Sequence, residues 1–290
     1  MVFWSRLAAA AALCAYAVAL APLANAASRM RIVSLAPSVT ETLFALGAGA
    51  EVVGVSQYCD YPPQVRDLPR VGSFLTPNLE AIIALRPTLV VGLELSSDVR
   101  QIRALNSMGY PVLLVSDDSL QEIENSIEKV GARISRENEA RRLVAQIQDQ
   151  IAAVQNRLAN VKPLRALMLV GHQPIVAVGF GTYLDELMRI ARADNIAAAA
   201  GEQWPHLSME FIIAMRPEVI LDGAMGSDAA SSSDFWGKYP TIPAVRDHRV
   251  FGYAEDPMLH SGPRVGQSLE IMARKIHPEA WDRGAAGAGK

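Results

Sequence analysis

The stretch Leu79-Glu80-Ala81-Ile82-Ile83-Ala84-Leu85-Arg86-Pro87-Thr88-Leu89-Val90-Val91 returns 130 positions later as Met209-Glu210-Phe211-Ile212-Ile213-Ala214-Met215-Arg216-Pro217-Glu218-Val219-Ile220-Leu221. Glu, Ile, Ile, Ala, Arg and Pro recur unchanged. Each copy reads as a short helix, an Arg-Pro stop and a buried strand. Proline cannot continue a helix, and it directs the preceding Arg86 or Arg216 toward extended backbone. At the same offset Asn78 and Ser208 are N-cap residues, whose side chains accept a free helix amide. Phe74 and Trp204 also stand 130 apart, each six residues before its glutamate. Two copies are too few for a solenoid and indicate two similar lobes. A pseudo-twofold axis would set Phe74 and Trp204 on opposite walls of one cleft, where aromatic faces suit a large flat ligand. Each feature also has a plainer reading. Aromatic side chains fill ordinary cores, and the helix dipole favours a first-turn glutamate whatever its use.

Around the two copies, short apolar runs alternate with helical patterns. Arg31-Ile32-Val33-Ser34-Leu35, Val52-Val53-Gly54-Val55, Leu89-Val90-Val91 and Val112-Leu113-Leu114-Val115 read as strands of the first half. Residues 165–170, Val219-Ile220-Leu221 and Val250-Phe251-Gly252-Tyr253 read as strands of the second. Continuous apolar strands between helices imply mostly parallel sheets covered on both faces. Ser38-Val39-Thr40-Glu41 has the spacing of a capping box that would open the first helix. At mid-chain, Leu143, Ile147, Ile151, Val154 and Leu158 form one apolar stripe on a polar helix over residues 136–160. Ser135 is its candidate N-cap, with Glu137 and Glu139 in the first turn. Such a helix could brace two lobes or pack on the first alone. Gly179-Phe180-Gly181-Thr182 reads as a turn before another helix, and the Ser/Ala-rich stretch 228–234 as a flexible loop.

The ends bound the working protein. Arg6 is the sole charge in the first 26 positions; an apolar run over 7–21 follows, then Pro22 and Ala24-Asn25-Ala26. This pattern predicts a signal peptide cleaved after Ala26, which would leave residues 27–290. Residues 283–290 are rich in Gly and Ala and read as a disordered tail. The chain has 290 residues, is half hydrophobic, and carries a net charge of −3 without basic runs, which argues against nucleic acid as a partner. Cys14 would leave with the signal, so Cys59 has no disulfide partner and is expected to pack near its tyrosine neighbours. No metal site is expected.

Ser34-Leu35-Ala36-Pro37-Ser38-Val39-Thr40-Glu41, the Tyr58-Cys59-Asp60-Tyr61-Pro62-Pro63 segment and both glutamate-bearing repeats resemble periplasmic substrate-binding proteins of ABC importers. The likeness is to the iron-siderophore, haem and cobalamin group, and it runs from about Arg31 to about Ile276. The Asp60-Tyr61-Pro62-Pro63-Gln64 run and Trp204-Pro205 incline it toward the cobalamin-binding branch. The resemblance implies an α/β fold of two Rossmann-like lobes with parallel sheets, joined by a single long bridging helix. The lobes would span 27–134 and 161–282, with the helix at 135–160. It implies a monomeric, periplasmic protein that binds but does no chemistry. The expected ligand is cobalamin or a related corrinoid, with haem or a ferric siderophore as the alternative. The resemblance also assigns Glu80 and Glu210, one per lobe, to docking on a dimeric inner-membrane permease. Trp204 falls where the family lines its pocket with an aromatic residue, and Phe74 where it has a tryptophan.

Further ligand-binding candidates come from loop position, because open α/β folds present ligands beyond their strand ends. These are Pro37 and Ser38 after the first strand, Tyr58 and Tyr61 around Cys59, Phe180 and Tyr183 in the equivalent loop of the second half, and Met258, His260 and Arg264 before the last helix. For each, loop packing is the competing reading. His172 and His260 could ligate a metal in the ligand or make ordinary hydrogen bonds. A rival enzymatic reading is a two-lobed chelatase using His172 or His260 with Glu202 or Asp256. Another is an exported sensor of the same ligand.

Overall fold

The computed structural model describes residues 30–96, 99–223, 234–253 and 257–282. The signal segment, the tail 283–290 and nearly all of the Ser/Ala-rich stretch lie outside them. The first half forms β1 (Ile32–Ser34), α1 (Pro37–Ala45), β2 (Val52–Val55), α2 (Leu79–Ala84), β3 (Leu89–Leu93), α3 (Arg100–Ser107), β4 (Val112–Val115) and α4 (Leu120–Arg133). Its four strands are all parallel, in the order β2-β1-β3-β4. The long helix α5 (Glu137–Arg157) follows. The second half forms β5 (Leu164–His172), β6 (Ile175–Ala177), α6 (Tyr183–Ile190), β7 (Ala193–Asn195), α7 (Met209–Met215), β8 (Val219–Asp222), α8 (Pro243–Arg246), β9 (Val250–Gly252) and α9 (Val265–Ile276). There β5 pairs in parallel with β7 and β8, and β8 with β9, while β6 folds back antiparallel on β5.

Strand alternation sorts the core into layers. Val33, Val90 and Ile82 belong to one cluster on the outer face of the first sheet. Leu167, Ile220 and Ile212 belong to another on the outer face of the second. Their neighbours Ile32, Leu89, Val91, Ala166, Met168, Val219 and Leu221 point the other way, into a third cluster that also takes up Ala140, Val144, Ile147 and Val154 of α5 and its C-cap Leu158. This central cluster runs unbroken from one sheet through the helix to the other. The repeated segments therefore play matching parts: Ile82 and Ile212, 130 apart, are both fully buried beneath their sheets. Truncating either to Ala should cost roughly 2–5 kcal/mol.

Helix α5 packs against α4 on one side and α9 on the other. Both contacts use glycine for close approach. A Cβ on Gly131 would lie 2.5 Å from the Ala140 Cβ, and one on Gly266 would lie 2.8 Å from the Gln150 Cβ.

Several local expectations are corrected. The helix α1 starts at Pro37, is capped by Ala36, and has no side-chain cap. Ser38 and Glu41 do not close a capping box, because both side chains are claimed by partners distant in sequence. Ser135 is not the N-cap of α5; it sits at φ 58° and Arg136 takes the cap position. Arg86 and Arg216 are left-handed, at φ 47° and 52°, rather than extended. The helix end decides this. In that conformation the Arg216 amide donates to the Ile212 carbonyl, and the Arg86 amide to Ile83, which closes each last turn. The predicted caps of the repeats are present: the Ala81 amide donates to Asn78 Oδ1 at 2.9 Å, and the Phe211 amide to Ser208 Oγ at 3.2 Å.

Candidate ligand-binding cleft

The carboxyl ends of the strands in both sheets open on one cavity of about 620 Å³. From the first half come Phe74, Glu94, Leu95, Asp117 and Asp118; from the second come Val170, Tyr183, Gln203, Trp204 and Ser261. Phe74 rides the loop before α2 and leans on Tyr58, with ring centroids 6.5 Å apart. Trp204 rides the equivalent loop before α7 and remains 45% exposed. The two aromatic residues of the repeat thus line one cavity from different lobes. Its charged lining, among the described residues, is Glu94, Asp117 and Asp118, with no Lys, Arg or His. The internal segments outside the description, 97–98, 224–233 and 254–256, contain no Lys, Arg or His either.

Beside the cavity the lobes are tied together by a polar cluster. Arg264 donates through Nε and Nη2 to the two carboxylate oxygens of Glu41, each at 2.7 Å. His260 Nδ1 lies 2.8 Å from the same carboxylate, and the Arg264 guanidinium stacks 3.9 Å from the centre of the Tyr61 ring. Burial pushes the Glu41 carboxyl up, but Arg264 and His260 together overcome it and hold the group below the usual carboxylate range. Asp117, just after β4, accepts from Ser38 Oγ at 3.3 Å and from Ser261 Oγ. Here burial dominates and raises the carboxyl, against the pull of those two hydroxyls. The Leu120 amide donates to Glu186 Oε2 at 2.9 Å, a further bond between the halves. Tyr183 is buried, donates its hydroxyl to the Met258 carbonyl at 3.0 Å, and has its phenol pushed well above the ordinary range by that burial.

The sequence candidates therefore divide. Phe74, Tyr183 and Trp204 line the cavity. Ser38 faces a small adjoining void and the Asp117 carboxylate. Arg264, His260 and Tyr61 belong to the polar tie rather than to the cavity lining. Pro37 opens α1, and Met258 is fully buried behind Tyr183. Tyr58 and Phe180 are 54% and 62% exposed and do not line the cavity. Cys59 is buried, with Sγ 3.1 Å from Thr40 Oγ1 and 3.2 Å from Ser56 Oγ.

Glu41, Glu94, Asp117 and Asp118 were not among the candidates. The signal for the last three was available, because Glu94 directly follows β3 and Asp117 and Asp118 come two and three residues after β4, both strands that read clearly from sequence. Among the described residues neither chelatase histidine is hydrogen-bonded to Glu202. His172 Nε2 lies 2.9 Å from both oxygens of Asp222, whose Oδ2 also accepts from Trp236 Nε1, and its ring stacks on Phe235 at 4.2 Å. His260 is taken by Glu41, and Asp256 lies outside the described residues.

Two similar α/β lobes closing on a cavity at their strand ends define a two-lobed binding protein. The chain belongs to the periplasmic binding protein family, whose profile matches residues 32–257, and is of the substrate-binding class that serves ABC importers. It is similar to the vitamin B12-binding protein of Pectobacterium atrosepticum, 28% identical over 240 residues, covering 81% of this chain and 84% of that one. It is 32% identical over 260 residues to an uncharacterized ABC transporter substrate-binding lipoprotein of Bacillus subtilis, covering 87% and 81%. Among solved structures, the apo periplasmic haem-binding protein of Roseiflexus sp. RS-1 superimposes with a TM-score of 0.78 at 31% identity, covering 87% of this chain and all of that one. No helix of the described residues is long and apolar enough to cross a membrane.

Proposed function

We propose that this chain is exported, loses residues 1–26, and binds cobalamin or a related corrinoid between its lobes for delivery to a dimeric inner-membrane permease. The observation that carries the ligand is the cavity itself: aromatic on both walls, acidic where it is charged, and without a cation among the described residues. Haem brings two propionates, and ferric siderophores commonly carry net negative charge. A ligand carboxylate about 4 Å from a cavity carboxylate would cost about 4 kcal/mol at an effective dielectric of about 20. A corrin ring instead presents neutral carboxamides, and a cobalamin supplies its own axial ligands. That fits a lining with no imidazole or cysteine thiol among the described residues.

Glu80 and Glu210 suit the docking role. Both are exposed, and both stand in the first turn of matched helices, α2 and α7. Two like carboxylates on two like lobes can address two identical permease subunits. The same chain acts as a monomer in this scheme.

Calorimetric titration of residues 27–290 with cyanocobalamin, haemin and a ferric siderophore, followed also by Trp fluorescence, tests the ligand. Saturable heat and quenching with cyanocobalamin are expected. Response to haemin alone would give the site to haem, the reading favoured by the likeness to the Roseiflexus protein.

A further inference from the structure

Within the corrinoid reading, on which this inference rests, we propose that Glu94 and Asp118 make the cleft selective for a ring edge of carboxamides and exclude one of carboxylates. The cavity has acceptors to offer and few donors. Thr182 spends its hydroxyl on the Gly179 carbonyl at 3.3 Å, Tyr183 on the Met258 carbonyl at 3.0 Å, and Ser261 on Asp117. Asp117 in turn is occupied by Ser38 and Ser261. Glu94 and Asp118 differ, because both are exposed at the cavity wall beyond the ends of β3 and β4.

A flat ring held between Phe74 and Trp204 must turn its rim toward these strand ends. A primary amide brings two N–H donors to each carboxylate and no charge. A carboxylate brings only acceptors and a like charge, which is repelled and finds few donors in return. No Lys, Arg or His lines the cavity among the described residues to reverse the preference.

The test compares two probes with the same corrin ring and the same axial cyanides: dicyanocobinamide, whose rim carries amides, and dicyanocobyrinic acid, whose rim carries carboxylates. Titrations are run on residues 27–290 and on the E94Q/D118N double variant, with thermal melts as a folding control. The native protein should prefer the amide ring by about 30-fold or more, and the double variant by under about 5-fold, chiefly through tighter binding of the acid. Raising salt should narrow the native preference, because both carboxylates are exposed. Equal affinity of the native protein for both rings, or an unchanged ratio in the double variant, overturns the selection alone. Heat with neither ring overturns the corrinoid reading and this selection with it.

Discussion

Arg264 of the second lobe grips both carboxylate oxygens of Glu41 in the first, 223 residues away, through two hydrogen bonds of 2.7 Å. The Glu41 side chain is 2% exposed and that of Arg264 18%, so the pair is largely shielded from water. Removing Glu41 leaves the Arg264 guanidinium without its carboxylate, and removing Arg264 leaves the buried Glu41 with His260 alone. Glu41→Ala or Arg264→Ala should each cost about 3–5 kcal/mol in denaturant unfolding. The double variant should cost less than the two singles combined, because the second removal relieves the first. Additive losses would show that the two residues act separately.

The two buried carboxyls give opposite pH dependences. Glu41 titrates lower in the folded chain than unfolded. Its stabilisation is therefore present above the unfolded value and is lost as pH falls through the folded one. Asp117 titrates higher when folded, so its contribution is full below the unfolded value and is lost as pH rises through the folded one. Unfolding free energies between about pH 3 and 7 should show a shallower acid loss in Glu41→Gln and a steeper one in Asp117→Asn. Parallel curves for all three proteins would contradict the assignment.

Trp204 and Phe74 should matter to the ligand more than to the fold. Trp204→Ala or Phe74→Ala should weaken corrinoid binding about 10-fold or more, since aromatic anchors dominate such sites. Trp204→Ala should leave the melting temperature nearly unchanged, because that ring is already 45% exposed. Phe180→Ala is the contrast: the ring is 62% exposed and does not line the cavity, so affinity should stay within about 2-fold. A larger effect of Phe180 than of Trp204 would relocate the aromatic wall.

Charge reversal at both Glu80 and Glu210 should abolish uptake into cells while leaving solution affinity unaltered. Both side chains are exposed and away from the cavity lining, so binding has no reason to change. Uptake at the native rate by the double variant would dismiss the docking assignment.

The fold was legible because it repeats. The segments starting at Leu79 and Met209 declare helix, stop and strand twice, and the alternating burial of Leu89, Val90 and Val91 is matched by Val219, Ile220 and Leu221. What failed was local chemistry decided at a distance. Ser38 and Glu41 have capping-box spacing, yet Pro37 opens α1 and the two side chains answer to Asp117 and to Arg264 with His260. No window of a few residues contains those partners. Arg86 and Arg216 failed for a different reason: closing the helix end outweighed the preference imposed by the following proline. The aromatic pair was visible through the repeat, whereas Glu94, Asp117 and Asp118 lie outside it and are legible only from their place after β3 and β4.

The unbroken apolar cluster through α5 has a consequence for any attempt to divide the molecule. Cutting the chain on either side of that helix would take from α4 or from α9 the helix it packs against and open the shared cluster to water along that seam. Each fragment would retain a complete repeat and still lack the means to stand alone. Mixed together, the fragments should reassemble; kept apart, they should clump. The two copies are alike in pattern, yet they have become one cooperative unit.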